Sequence, residues 1–168
     1  ARELTRRCLL ETEDDPDELS CQEDMQVYLA HIYYEDGDGN DDLDCPFYRL
    51  RQAHPLVVDL SYDFEPYRNG TYMWLATLFS DFFTYYEDAE VNTFHRHRDL
   101  AWYGRQAYKY NLLAAKEGYY MAMYRTAMFL LDGEVVNADY DEAYSWLEKC
   151  KDYCNGMPLY RLGNMHYY

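Results

Sequence analysis

The chain has 168 residues and a mass of 20.2 kDa, room for one ordinary domain or a short repeat array. Fifteen Lys and Arg stand against 31 Asp and Glu, a net charge of −16 that repels phosphate backbones and anionic membranes and so argues against nucleic acid or a membrane as partner. Apolar residues reach 49% and tyrosine alone numbers 21, too apolar and aromatic a composition for a disordered chain.

The acid is concentrated at the start. Residues 8–48 hold 14 acids and no Lys or Arg, eight of the acids within Glu11–Asp24 and six within Glu35–Asp44. Such a block is either a solvated stretch of like charge or a patch that speeds encounter with a basic partner. The acidic segment 8–24 leads into a predicted helical hairpin over 25–54, with Val27–Tyr33 in its first helix and Cys45 and Tyr48 marking its second. The link between them, Asp36-Gly-Asp38-Gly-Asn40-Asp41-Asp42-Leu43-Asp44, has the look of calcium chemistry. An EF-hand loop starting at Asp36 needs Gly where Asp41 stands and Glu where Phe47 stands, and the glycine- and aspartate-rich nonapeptide needs tandem copies. The plainer reading is a turn between two helices.

An insertion is expected around Pro55–Asn69, between the first hairpin and the next. The second hairpin covers 71–115, with Met73–Phe79 in its first helix and Ala107–Tyr110 in its second. A further insertion falls around Phe82–Arg98, either lengthening a helix or protruding as a loop. It contains Phe94-His95-Arg96-His97-Arg98. Two histidines can begin a metal site, but the flanking arginines repel a cation, and an exposed mixed-charge segment explains the run as well.

The third hairpin, 121–151, reveals the organisation of the chain. Gly118-Tyr-Tyr-Met-Ala122-Met-Tyr124-Arg-Thr-Ala127 matches Cys154-Asn-Gly-Met-Pro158-Leu-Tyr160-Arg-Leu-Gly163 at an offset of 36 residues, and Ala107-Tyr108-Lys-Tyr110 matches Ala143-Tyr144-Ser-Trp146 at the same offset. Two independent segments with one period indicate a repeat. Within the unit, Asp132-Gly133 marks a turn with positive φ, Asp139 is the expected N-cap, and Ala143, Tyr144, Trp146, Leu147 and Cys150 form an apolar stripe at i, i+3, i+4 spacing. Residues 157–168 begin a further unit. Taking Ala30, Ala76, Ala127 and Gly163 as equivalent gives spacings of 46, 51 and 36, which places the two insertions. Ala107, Ala127, Ala143 and Gly163 are expected at close helix–helix contacts.

Five cysteines, Cys8, Cys21, Cys45, Cys150 and Cys154, are odd in number and irregular in spacing, which reads as reduced thiols in an intracellular setting. Cys150 and Cys154 are read as small packing residues near a helix end. No apolar run reaches the roughly 18–20 residues of a membrane span, and no signal peptide is visible. The start at Ala1 fits loss of an initiator Met or a position inside a larger gene product. Tyrosine doublets stand at Tyr33-Tyr34, Tyr85-Tyr86, Tyr119-Tyr120 and Tyr167-Tyr168. Neighbours on a helix point about 100° apart, so one ring of each doublet is expected to pack and the other to be exposed. Exposed tyrosine is a frequent interface anchor, although all these rings can also stack between helices.

The arrangement resembles the Sel-one-like repeat family, tetratricopeptide-related helical hairpins of about 36 residues. The resemblance rests on Gly118-x3-Ala122-x-Tyr124, on Asp132-Gly133-x5-Asp139-x3-Ala143-x2-Trp146-Leu-Glu-Lys, and on Leu159-Tyr-Arg-Leu-Gly163-Asn-Met. Pro158 and Cys45 depart from the pattern, as do both insertions. It implies an all-α fold: an α-solenoid of antiparallel hairpins in a right-handed superhelix, here one domain over 1–168 with two insertions. It also implies a face that holds another protein, as in adaptors, assembly scaffolds and bacterial immunity proteins, and hence a bacterial cytoplasmic setting. No G-x-S-x-G, P-loop or H-E-x-x-H occurs. The expectation is a non-enzymatic interaction module without cofactor or metal, of inhibitor or immunity type, covering a basic protein surface. Its candidate contact residues are Tyr33, Tyr34, Asp36, Asp38, Asp41, Asp42, Tyr85, Tyr86, Tyr119 and Tyr120. The alternatives are an adaptor or a fragment of a longer solenoid, and an enzyme or calcium-binding module built on the turn 36–44.

Overall fold

A computed structural model describes residues 70–87 and 100–165 and the isolated positions 26, 27, 30, 53, 56, 57 and 60. The chain divides into two compact units, 1–69 and 70–168. In the first, Gln26, Val27 and Ala30 are helical, as are Ala53, Leu56 and Val57; Val27, Ala30, Ala53 and Val57 are buried. The burial of Ala30 agrees with its expected place on a packed face. The rest of the hairpin expected over 25–54 lies outside the described residues.

The second unit is all-α among the described residues. Its five helices are α1 (Thr71–Glu87), α2 (Leu100–Lys116), α3 (Tyr120–Asp132), α4 (Tyr140–Cys150) and α5 (Met157–Met165), with one 3₁₀ turn, Cys154–Gly156, before α5. Each packs on the next in the chain as adjacent antiparallel pairs. The hairpins expected over 71–115 and 121–151 are thus α1–α2 and α3–α4. The insertion placed around Phe82–Arg98 begins as helix, because α1 runs on to Glu87; residues 88–99 lie outside the described residues.

The helix faces follow from their periodicity. On α1, Leu75, Ala76, Leu78, Phe79 and Phe82 are buried; on α2, Tyr103, Gly104, Ala107, Tyr110, Asn111, Ala114 and Ala115. These are i, i+3, i+4, i+7 stripes. The polar residues that break the apolar face of α1 bond backward along the helix, Thr77 Oγ1 to the Met73 carbonyl at 3.1 Å and Ser80 Oγ to that of Ala76 at 2.7 Å. Phe79 is the hub of the α1–α2 contact. It stacks on Tyr110 (5.3 Å between centroids, 14° between planes) and meets Phe82 and Trp102 edge-on at 5.8 and 5.9 Å. Two of the described tyrosines, Tyr103 and Tyr110, are buried in this contact. Full burial of one such ring contributes about 1.5–3 kcal/mol.

The ends of the helices show why the chain turns where it does. The α2 end is a Schellman motif: Gly118 at φ 100° sends its N–H to the Ala115 carbonyl at 3.1 Å, and Tyr119 sends its own to that of Ala114 at 3.2 Å. Gly133 at φ 70° closes α3 by donating to the Phe129 carbonyl, and Asp139 N–H caps the Leu130 carbonyl at 3.1 Å. Asp139 then opens α4, its carboxylate accepting the Glu142 N–H at 2.8 Å. The expected turn and cap are both present. Asp141 and Glu142 in the first turn of α4 and Lys149 in its last also match the helix dipole.

The 36-residue offset carries into the packing. Ala107 and Ala143, Tyr110 and Trp146, Ala114 and Cys150, Ala122 and Pro158, and Thr126 and Leu162 are buried in pairs. Even the backbone repeats, since Gly118 and Cys154 both have positive φ (100° and 59°). One expectation fails: a Cβ built on Gly163 meets nothing within 4 Å, so Gly163 is not at a close contact as Ala127 is. The close glycine is Gly104, whose Cβ would lie 2.8 Å from Val135 Cγ2 and 3.1 Å from Phe83 Cε2. There α2, α1 and the link after α3 converge.

Candidate partner-binding surface

The repeat that buries so many rings leaves a different set outside. Tyr119, Tyr120, Met121, Tyr153, Met157, Leu159 and Tyr160, from the start of α3, the α4–α5 junction and α5 itself, are exposed, and so is Tyr140 at the start of α4. The Schellman turn puts Tyr119 at the N-cap of α3 in an extended conformation, so that its carbonyl accepts the Met123 N–H at 3.0 Å while its ring lies outside the helix. Its hydroxyl reaches the open side of Gly70, 2.9 Å from where a Cβ would stand. Tyr120, the first residue of α3, stacks flat on Tyr153 at 3.6 Å between centroids and 7° between planes. A hydrogen bond with Tyr153, reinforced by repulsion between the two phenolates, raises the Tyr120 phenol above its ordinary value of 10.

Tyr153 is held in place by an unusual turn. Its N–H donates to the Cys150 carbonyl at 3.0 Å, and the next three residues, Cys154, Asn155 and Gly156, all have positive φ at 59°, 53° and 77°. Asn and Gly adopt this conformation readily; Cys does so at a cost of about 1–3 kcal/mol, and such strain persists only where surrounding structure fixes it. The strained turn swings the chain so that α5 docks on α4 while Tyr153 faces back to Tyr120.

One expectation changes at this point. Both rings of Tyr119-Tyr120 are exposed, at 38% and 41%. The rule that adjacent residues diverge holds inside a helix, and this doublet straddles a helix start. The cysteine pair does include a packing residue: Cys150 is buried at the end of α4, where desolvation and the neighbouring Cys154 push its thiol up to about 11. Cys154 is raised by burial as well. Neither is a ready nucleophile near neutral pH. The described residues contain no grouping of three or more His, Cys, Asp or Glu arranged to hold a metal ion, and no helix long and apolar enough to cross a membrane.

Of the other predicted contact residues, Tyr33, Tyr34, Asp36, Asp38, Asp41 and Asp42 lie outside the described residues, as do His95 and His97. Tyr85 and Tyr86 belong to α1, but their side chains are not among those described. Sequence reasoning missed Tyr153, Met157 and Tyr160. The signal for them was Asn155-Gly156, a turn dipeptide that marks the junction exposing all three. Comparison with protein-family models, with curated proteins and with solved structures finds no match to this chain.

Proposed function

We propose that the chain is a non-enzymatic protein-binding module, a Sel-one-like helical-repeat solenoid with a right-handed superhelical course, whose work is to cover a basic surface on another protein in the manner of an inhibitor or immunity protein. One observation carries the reading. Tyr120 and Tyr153 form a stacked pair that stays exposed, on a junction whose backbone is strained to hold it. Rigid aromatic area that also carries a polar hydroxyl is what interface hot spots use, and a pre-set pair loses little side-chain entropy on binding. The repeat reading is supported by the burial pairs at the 36-residue offset and by contacts between successive first helices. Arg125 on α3 donates to Thr77 on α1 at 3.2 Å, and Phe83 meets Phe129 at 6.4 Å. The acidic stretch over 8–48 supplies long-range attraction for a basic partner.

The test is affinity capture with mass spectrometry, followed by surface plasmon resonance on the captured protein. Tyr120→Ala and Tyr153→Ala should each raise the dissociation rate about 30-fold, the equivalent of ~2 kcal/mol for a hot spot. Changing Asp36, Asp38, Asp41 and Asp42 to Asn should slow association and flatten its salt dependence. A partner whose rates ignore both sets of changes refutes the proposal.

A further inference from the structure

Tyr120 and Tyr153 are also placed for chemistry with each other. Their rings lie face to face, 3.6 Å between centroids and 7° between planes. A hydrogen bond between the two side chains puts both hydroxyls on the same edge of the stack. The Cε carbons of each ring, ortho to its hydroxyl, therefore lie opposite those of the other. In a phenoxyl radical these carbons carry much of the unpaired electron, in p orbitals perpendicular to the ring, so two radicals couple through their faces. Both rings are open to an oxidant, at 41% and 47% exposure. Tyr72 and Tyr110 show the contrast: their rings are tilted and 6.3 Å apart, and Tyr110 is buried. Cys154, next to Tyr153 in the chain, is held as the thiol because burial raises it, so it competes poorly for peroxide near neutral pH.

We infer that Tyr120 and Tyr153 form an oxidative modification site, coupled into a dityrosine within one chain by a haem peroxidase using hydrogen peroxide. Each phenol gives up one electron and its hydroxyl proton. A Cε–Cε bond forms between the two radicals, the hydrogens leave those carbons as protons, and protons return to the two oxygens. In total two electrons and two protons are lost, and one hydrogen peroxide takes them up to become two waters. The new bond lies in the ring planes, so the rings hinge from stacked to edge-on, and their exposure gives them room to do so. The product ties the start of α3 to the turn before α5 and fixes the left-handed stretch Cys154–Gly156 covalently. The coupling needs no partner protein, so it stands or falls apart from the binding reading.

The full 168-residue chain, dilute and at neutral pH, is treated with a peroxidase and equimolar hydrogen peroxide; the monomer is then isolated by size exclusion and digested with trypsin. Blue dityrosine fluorescence in the monomer is expected. Mass spectrometry should find Glu117–Arg125 joined to Asp152–Arg161, lighter than their sum by two hydrogens, with fragmentation placing the bond at Tyr120 and Tyr153. This link should exceed any through Tyr119, Tyr124 or Tyr160 by at least about tenfold, because the stack supplies its own effective concentration. Tyr120→Phe and Tyr153→Phe should each abolish it, and Tyr119→Phe and Tyr160→Phe should leave it. Cys154→Asn removes the neighbouring thiol as a radical sink with a residue that accepts left-handed backbone. Absence of the link from both the parent and this variant overturns the inference. So does a dityrosine confined to cross-linked dimers, or a yield between the two peptides that Tyr120→Phe leaves unchanged. The cross-linked monomer should melt above the parent by about 5–15 °C, as closing a loop of this kind restricts the unfolded chain. Melting below the parent would show that coupling required the junction to open, and also overturns the inference.

Discussion

The same substitution, Gly→Ala, should have opposite effects at two helical positions of this protein. In an open helix it is stabilising, since alanine loses less backbone entropy than glycine by about 0.8–1 kcal/mol. Gly163 is such a position, with nothing near the new methyl, although its place close to the end of α5 reduces the gain to about 0.5 kcal/mol. At Gly104 the methyl would arrive 2.8 Å from Val135 Cγ2 and 3.1 Å from both Val135 Cγ1 and Phe83 Cε2. Carbon atoms are comfortable at about 3.5–4.0 Å, so each contact is short by several tenths of an ångström. Val135 is β-branched and stiff, on a short link whose far end is tied by the Asp139 N–H to the Leu130 carbonyl, so it yields little. Overpacking of this kind costs about 1–3 kcal/mol. Less the helical gain, Gly104→Ala should destabilise by about 0–2 kcal/mol, and a chain of this size loses about 2–4 °C of melting temperature per kcal/mol. Differential scanning calorimetry should therefore show Gly163→Ala melting a degree or two above the parent and Gly104→Ala melting below it. Val135→Ala should restore the double variant, with a coupling of about 1–2 kcal/mol. If Gly104→Ala melts as high as Gly163→Ala, or if Val135→Ala gives no rescue, the convergence of α1, α2 and the α3–α4 link at Gly104 is wrong.

Asp139→Ala removes the cap of α4 and should lower stability by about 1 kcal/mol in urea melts, while Asp139→Asn, which keeps an acceptor oxygen, should lose less than half of that. The raised Tyr120 phenol predicts a pH effect whose sign is set by linkage: the stability it contributes is fully present below the ordinary tyrosine value and is lost as pH rises through the raised one. Tyr153→Phe should move the Tyr120 phenol back toward 10 in an NMR titration of its ring resonances, and an unchanged Tyr120 curve would remove the hydrogen bond from the account. Cys150, held up to about 11, contributes in the same direction, so its stabilisation fades from about pH 9 upward. Peptide mapping after alkylation at pH 8 should find it protected in the folded chain and labelled in urea; rapid labelling of the native protein would contradict its burial.

What the sequence determined by itself was local. A turn glycine, a capping aspartate and a stripe at helical spacing act within a few residues of chain, so Gly133, Asp139 and the buried Ala143, Trp146, Leu147 and Cys150 were readable before any coordinates. The 36-residue offset was readable too, because equivalent positions in stacked hairpins answer to equivalent neighbours, and those at Ala107 and Ala143 do. Which ring faces water was not readable. Tyr110 and Tyr120 are the same residue type ten positions apart; one stacks on Phe79 inside, the other on Tyr153 outside, and only the packing of α1 on α2 and the left-handed turn at Cys154 separate them. Gly104 and Gly163 both lie in helices, and their surroundings come from residues more than 20 positions away or from nothing at all. A side chain's conformational preference is carried by its own stretch of backbone, while its burial is decided by whichever surface the fold brings against it, and that second surface exists only once the helices have packed.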